Sequence, residues 1–217
     1  NTFTLGKHGT GDLDPGHYEN LTLTGSADID GIGNDLNNIL IGNSGDNILY
    51  GIDGVNWLDG GEGEDTLIGG ESWSRYVVDN PGDTVIGSGQ IFSTVNYSGG
   101  HTSTLYLISE NATSGTAGRV WGNNQNNILE GTYLYGGLGD DTYIVSSKAD
   151  RVVEAVSQGT DHVIASSSYM LSSNVENLTL SGDGNFTAGG NSLDNHLIGN
   201  AGNNLLAGGL GADTLEG

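Results

Sequence analysis

The chain has 217 residues, with 27 Asp and Glu against 5 Lys and Arg, so its formal net charge is −22. A charge of this sign disfavours binding to nucleic acid or to an anionic membrane surface, and it favours bound cations. Cysteine is absent, which excludes disulfides, thiolate metal sites and a cysteine nucleophile. No apolar run reaches the roughly 18 residues that a membrane-spanning helix needs.

Residues 1–32 are predicted to be β-structure. From Asn20 the run Asn-Leu-Thr-Leu-Thr alternates polar and apolar residues, which is typical of a half-buried strand. The longer run from Glu19, ENLTLTG, resembles ENLTLSG from Glu176. We therefore expect the first segment to be a wide β-coil of a kind that recurs later in the chain.

Residues 33–68 consist of four consecutive blocks of nine: GNDLNNILI, GNSGDNILY, GIDGVNWLD and GGEGEDTLI. Two further blocks lie in residues 122–144 and three in residues 190–217. Position one is always Gly, position six is Asn or Asp, and position eight is Leu except at Tyr143. Six Gly- and Asx-rich residues predict a tight turn, and the next three predict a short strand whose middle side chain points inward. Stability would then come from stacking successive coils.

The intervening residues 69–121 and 145–189 are predicted to be wider β-coils that continue the same structure. Residues 76–85, YVVDNPGDTV, resemble residues 143–152, YIVSSKADRV. The Gly-Gly pairs at residues 60, 136 and 208 are separated by 76 and 72 residues, so the larger unit is nearly regular. Surface loops between separate rolls are the alternative, and residues 86–121 depart most from the unit and are the candidate for an irregular excursion.

The blocks at residues 60–68, 136–144 and 208–216 match the pattern G-G-x-G-x-D-x-U-x, in which U is a large apolar residue. The chain thereby resembles the RTX (repeats-in-toxin) hemolysin-type calcium-binding repeat family. This resemblance implies an all-β fold, a parallel β-solenoid (β-roll) with nonapeptide calcium-binding turns, over residues 1–217 as one elongated solenoid. It also implies two nonapeptides per coil, so that metal ligands come from turns eighteen residues apart.

Calcium, Ca²⁺, is the implied cofactor, and it takes six to eight oxygen ligands in proteins. By the eighteen-residue rule, Asp65 faces Asn47 and Asp213 faces Asn195. The turn glycines offer carbonyl oxygens, and neighbouring acidic residues offer further carboxylates. The candidate metal ligands are Asp65, Asp141, Asp213, Gly60, Glu62, Gly136, Gly208, Asp46, Asn47, Glu64, Asp140, Asp194 and Asn195.

The sequence also departs from the family pattern, because six of the nine position-six residues are Asn. Asn supplies one neutral oxygen, so we expect fewer or weaker calcium sites, and stacked Asn side chains could instead form hydrogen-bonded ladders. The block at Gly131 is only five residues long, which leaves the partner of Asp141 undetermined. Five acids outside the blocks are more consistent with solvated turns than with calcium ligands: Asp79, Asp83, Asp150, Glu154 and Asp161.

Motifs of zinc proteases, serine hydrolases and phosphate-binding loops are absent from the sequence, so we do not expect an enzyme. We predict a module that folds on extracellular calcium and serves as a structural, secretion-linked part of a larger secreted protein. The resemblance implies type I secretion and an extracellular or cell-surface location. The alternatives are a calcium-dependent polysaccharide-binding, adhesin or matrix module, for which Trp57, Trp73 and Trp121 could stack on sugars, and the non-catalytic tail of a secreted enzyme.

Overall fold

The computed structural model describes residues 1–5, 19–98, 104–109 and 114–217, and all regular structure within these ranges is β-strand. The chain divides into a first unit that ends at Tyr97 and a second unit that runs from Leu105 to Gly217. In the described ranges, no helix has the length and apolar character needed to span a membrane.

The first unit is built from two parallel sheets. Its strands are β1 (Thr2–Thr4), β2 (Asn20–Thr22), β3 (Asp30–Ile32), β4 (Ile39–Ile41), β5 (Ile48–Tyr50), β6 (Trp57–Asp59), β7 (Thr66–Ile68), β8 (Ser74–Val78), β9 (Thr84–Ile86) and β10 (Gly89–Ser93). The odd-numbered strands lie in the order β1-β3-β5-β7-β9, and the even-numbered strands in the order β2-β4-β6-β8-β10. Ile39 pairs with Trp57 and Ile48 with Thr66. Two nonapeptides therefore make one coil, as the resemblance implied.

The remaining strands are β11 (Tyr97–Ser98), β12 (Thr104–Leu107), β13 (Ser114–Trp121), β14 (Ile128–Tyr135), β15 (Thr142–Val145), β16 (Arg151–Val153), β17 (His162–Ala165), β18 (Tyr169–Met170), β19 (Asn177–Leu180), β20 (Thr187–Gly189), β21 (His196–Ile198), β22 (Leu205–Ala207) and β23 (Thr214–Glu216). In the second unit, the strand order is β12-β13-β14-β15-β17-β19-β21-β23 in one sheet and β18-β20-β22 in the other. β16 pairs in parallel with β14. The predicted parallel β-solenoid is confirmed.

The core is a set of columns of inward-pointing side chains. Most three-residue strands bury their middle residue, as in β4 and β5, where Leu40 and Leu49 are 0 % exposed and their neighbours face solvent. Tyr143 takes the same place in β15 and is also fully buried. The position-eight residues were predicted to point inward, and the period of two in a strand explains why they do.

The intervening segments add strands to the same sheets within their units. β8 pairs in parallel with β6, and β17 pairs with both β15 and β19. The described part of residues 86–121 contains β10 to β13, so the irregular excursion expected there is not found in it. β10 buries Gly89, Ile91 and Ser93, and two of these inward residues are small, which hides the apolar alternation. Residues 99–103 and 110–113 lie outside the described residues.

Candidate metal centre

The turns between strands are of two kinds, and the first kind is filled by asparagine side chains. In the turn that starts at Gly42, Asn43 Oδ1 accepts a hydrogen bond from Gly45 N at 2.9 Å. Asn47 Oδ1 accepts from Asn43 N at 2.8 Å, and Asn47 Nδ2 donates to Asn43 Oδ1 at 3.1 Å. We call this an Asn turn, and the blocks with Asn at position two form it: those starting at Gly33, Gly42, Gly122, Gly190 and Gly199.

The second kind, which we call a Gly turn, has positive φ at positions two and four. In the block starting at Gly60, these residues are Gly61 (φ 81°) and Gly63 (φ 125°). A Cβ on Gly61 would lie 2.6 Å from Asn43 O, and one on Gly63 would lie 2.7 Å from Gly45 O. The backbone carbonyls of the Asn turn therefore face the glycines of the Gly turn stacked on it. The blocks starting at Gly51, Gly136 and Gly208 share the two positive φ angles.

Each of these Gly turns stacks on an Asn turn of the preceding coil, and a hydrogen bond joins the two position-six residues; this bond is buried in all pairs except that of Asn195 and Asp213. Asn47 N donates to Asp65 Oδ1 at 2.7 Å, and Asn195 N donates to Asp213 Oδ1 at 2.9 Å. Both pairings were predicted from the eighteen-residue rule. Asp141, whose partner the sequence left undetermined, accepts from Asn127 N at 2.7 Å across only 14 residues.

The fourth pair of turns joins two asparagines, because Asn38 N donates to Asn56 Oδ1 at 2.8 Å. A backbone N–H of one asparagine thus donates a hydrogen bond to the side chain of the next, and this edge carries no position-six carboxylate. In the Gly turns with Asp, by contrast, the acceptor of this hydrogen bond is a carboxylate oxygen, Oδ1, and the second oxygen, Oδ2, remains.

The second oxygen of Asp65 is buried and unsatisfied. Asp65 is 1 % exposed, and its Oδ2 has no hydrogen-bond partner among the described residues. Burial raises the pKa of Asp65 to about 7, the bond from Asn47 N opposes this rise, and the nearby carboxylates of Asp83 and Asp79 add to it. A buried carboxylate oxygen without a donor is costly, so a bound cation or a proton has to compensate it. The carboxylate, amide and carbonyl oxygens around it are the ligand type that calcium prefers.

The position-one glycines are packed between the position-six carboxylates and the neighbouring coil. A Cβ on Gly60, Gly136 or Gly208 would clash with Oδ2 of Asp65, Asp141 or Asp213, respectively. The carbonyl oxygens of the same three glycines lie against Gly42, Gly122 and Gly190 of the preceding coil.

The other acidic candidates lie on the outer rim of the turns. Asp46 Oδ1 accepts from Glu64 N at 2.9 Å, and Asp194 Oδ1 accepts from Ala212 N at 2.7 Å. Asp140 Oδ1 likewise accepts from Thr160 N at 2.8 Å. Glu62, Glu64 and the three aspartates are exposed. Each of these aspartates therefore holds two coils together with one oxygen.

A cluster of three carboxylates lies in the second unit. Asp141, Glu154 and Asp161 are buried, and one oxygen of each lies within 4.8 Å of the others. Asp161 Oδ1 accepts from Asp141 N at 2.9 Å, and Tyr143 OH donates to Glu154 Oε1. Burial raises the pKa of Asp141 to about 7, that of Glu154 to about 8 and that of Asp161 to about 6, and repulsion from neighbouring carboxylates adds to each rise. For Asp161 these neighbours are Glu176 and Asp140.

The expectation of solvated turn acids is therefore wrong for Glu154 and Asp161. It fits Asp150 better, because this partly exposed residue closes a turn by accepting from Ser146 N at 3.0 Å and Ser147 N at 2.9 Å. Asp83 closes a similar turn through Oδ2, and its Oδ1 accepts from Asp65 N at 2.9 Å.

Comparison with known proteins gives one family and one relative. The model of the RTX calcium-binding nonapeptide repeat (four copies) matches residues 32–67, 50–72 and 189–217. Over 122 residues the chain is 38 % identical to the endo-1,3-1,4-beta-glycanase ExsH of Rhizobium meliloti (strain 1021). The aligned region covers 55 % of this chain and 23 % of that protein. The chain thus spans less than a quarter of that relative's length. No solved structure is matched.

Proposed function

Because this chain carries RTX calcium-binding repeats folded as a parallel β-solenoid, we propose that it is a calcium-dependent folding module of a larger secreted protein. The repeats bind calcium. The residues that hold the ions, the coupling of binding to folding, and the extracellular location are parts of the proposal.

The observation that carries the proposal is the orphaned Oδ2 of Asp65 in the stacked pair of turns. Asp65, Asp141 and Asp213 supply the carboxylates, each in a Gly turn stacked on an Asn turn. The carbonyls of the Asn turn that face the glycines, such as Asn43 O and Gly45 O, supply neutral oxygens. Calcium in this place compensates the buried negative charge and joins two successive coils.

The charge of the whole chain explains why calcium would control folding. At −22, the chain repels itself in any compact state unless cations are bound. A cation that binds only the folded state stabilises it by about 2.7 kcal/mol per site at about 100 times its dissociation constant. Extracellular calcium modules work with dissociation constants of about 10⁻⁴–10⁻³ M. The chain would therefore be only marginally stable in a calcium-poor cytosol and would fold firmly outside the cell, which suits export in an unfolded form.

The test is far-UV circular dichroism of chelator-treated protein during a calcium titration, with magnesium titrated in parallel. We expect β-structure to increase at millimolar calcium or below and to stay unchanged with magnesium. A chain whose β-signal is already complete in chelator would contradict calcium-driven folding.

Matched variants locate the sites. Asp65→Asn and Asp213→Asn each remove one charge from a Gly turn with Asp. Asp53→Asn removes one exposed charge from the turn that has Asn56 at position six, so it serves as the control. Both site variants should need more calcium for the same transition, and the control should behave as the wild type.

A second candidate function is the non-catalytic part of an enzyme that acts on an extracellular polysaccharide. The similarity to a glycanase favours it. Trp121 does not add support, because it is stacked between Tyr106 and Tyr135 at centroid distances of 5.0 and 4.5 Å. Both faces of its ring are covered, whereas a sugar stacks on a free face. A β-glucan pull-down with and without calcium tests this candidate, and no retention in either condition would exclude direct binding to that glycan.

A further inference from the structure

Three separate elements bring Asp141, Glu154 and Asp161 together between two successive coils of the second unit. Asp141 directly precedes β15, Glu154 directly follows β16, and Asp161 directly precedes β17. They are 1 %, 8 % and 1 % exposed. Two of the three carboxylates come from outside the nonapeptides, so the nonapeptide pattern does not account for the cluster.

The cluster has more acceptors than donors. Asp141 Oδ1 accepts from Asn127 N, and Glu154 Oε1 accepts from Tyr143 OH. Asp141 Oδ2 and Glu154 Oε2 are buried and have no hydrogen-bond partner among the described residues. No Lys or Arg in the described ranges forms an ion pair with these carboxylates. Buried carboxylates without a counter-charge cost several kcal/mol, so a bound cation or a proton has to compensate them.

A related coil in the first unit shows that the acids are not needed to build such a coil. Tyr76 and Tyr143 begin the two similar segments. The hydroxyl of each lies against the glycine seven residues before it, Gly69 or Gly136. The residue that corresponds to Asp141, two before the tyrosine, is Ser74.

The other two acids are also replaced by small neutral residues in that coil. Gly87 directly follows β9, as Glu154 follows β16, and a Cβ on Gly87 would lie 2.6 Å from Tyr76 OH. Gly89 lies opposite Ser74 in the sheet, where Asp161 would correspond. The three carboxylates are thus present together in the second unit and absent together from the corresponding place in the first unit, as expected for ligands of one ion.

We propose that Glu154 and Asp161 join Asp141 in one calcium site between the successive coils of β15 and β17, so that this site draws two of its ligands from outside the nonapeptide turns. The ligands are hard oxygens only, and oxygens within 4.8 Å of one another can all reach a cation that binds oxygen at about 2.3–2.6 Å. The choice of calcium rests on the proposed function, whereas the position of the site rests on the cluster itself. The raised pKa values of the three acids agree with a place that lacks a cation.

The test is a count of bound calcium ions per chain by equilibrium dialysis, together with thermal unfolding in chelator. Glu154→Gln keeps the shape of the side chain and removes its charge while leaving every residue of the nonapeptide sequences unchanged. Glu130→Gln, at an exposed residue of β14, is the matched control. We expect Glu154→Gln to bind one calcium ion fewer than the wild type and to melt at a higher temperature in chelator. Glu130→Gln should bind as many ions as the wild type.

Equal calcium binding by Glu154→Gln and the wild type would overturn the site. If Glu154→Gln does not fold, Asp161→Asn is measured in the same way, and an unchanged ion count has the same meaning. Asp65→Asn, measured alongside, separates this inference from the proposed function. Loss of an ion in Asp65→Asn but not in the cluster variants leaves the turn sites standing and rejects the cluster site, whereas a wild type that binds no calcium rejects both.

Discussion

Asp65→Asn should stabilise the protein when calcium is absent and weaken its response when calcium is present. Asn47 shows that the change is compatible with the fold, because it occupies the same place one coil earlier. There its Oδ1 accepts a backbone hydrogen bond and its Nδ2 donates to Ile29 O at 2.8 Å. An Asn at position 65 keeps the acceptor for Asn47 N and removes a buried charge that nothing else in the described ranges compensates.

The magnitude follows from the hydrogen bond at 2.7 Å between Asn47 N and Asp65 Oδ1. Asp65→Ala leaves this buried N–H without a partner, which costs about 1–3 kcal/mol. Asp65→Asn avoids that cost, so the two variants should differ by about 1–3 kcal/mol in the free energy of unfolding. With calcium at about 100 times its dissociation constant, Asp65→Asn should lose up to about 2.7 kcal/mol of calcium-dependent stabilisation at this site.

The assay is urea unfolding of the wild type and both variants, in chelator and in calcium, at pH 8 and pH 5. The pKa of Asp65 is about 7, so the carboxylate is charged at pH 8 and protonated at pH 5 in the metal-free folded protein. Asp65→Asn should therefore exceed the wild type in stability at pH 8 in chelator, and the excess should shrink at pH 5. A variant that is less stable than the wild type in chelator at pH 8 would refute the reasoning.

Three further outcomes follow from the same structure. The metal-free wild type should lose stability as the pH rises from about 4 towards 8. The pKa values of Asp65 and Glu154 are raised to about 7 and about 8, so the folded state holds their protons more tightly than the unfolded state does. Urea unfolding in chelator across this pH range tests the prediction, and a stability that rises with pH would contradict it. Leu58→Ala should cost about 2–5 kcal/mol because Leu58 is 0 % exposed, whereas Ile48→Ala, at 47 % exposure, should cost much less in the same unfolding assay. Gly61→Ala should weaken calcium binding in calorimetry, because its φ of 81° and the 2.6 Å approach of a Cβ to Asn43 O both oppose a side chain, and unchanged binding would contradict this.

The repeat made the fold predictable because each nonapeptide contains its own turn and strand. Three residues of one block have separate roles. Gly42 allows close packing against the next coil, Asn47 makes the hydrogen bond between coils, and Leu49 fills the core. Since these roles recur every nine residues, the spacing together with the two nonapeptides per coil that the family resemblance implied placed Asp65 opposite Asn47. Glu154 was less accessible to such reasoning, because its burial depends on β16 pairing with β14 in a coil of different length. Asp161 did carry a signal, since Asp161-His-Val repeats the Asp-Thr-Tyr of positions 141–143 in front of a strand.

In a stacked pair of turns, the Asn turn is held by its own side chains, whereas the Gly turn carries the carboxylate for the cation. An Asn turn satisfies its own backbone through Asn43 and Asn47, so it needs no metal to hold its shape. A Gly turn lacks those side chains, and its Asp65 has a buried oxygen that no described residue satisfies. If the two turns differ in this way, chelation should loosen the Gly turns first, and hydrogen exchange in chelator should be faster at Gly61 and Gly63 than at Asn43. Calcium then acts on coils whose Asn turns are held by their own side chains, and the five position-six Asn residues in Asn turns become part of the folding mechanism rather than lost ligands.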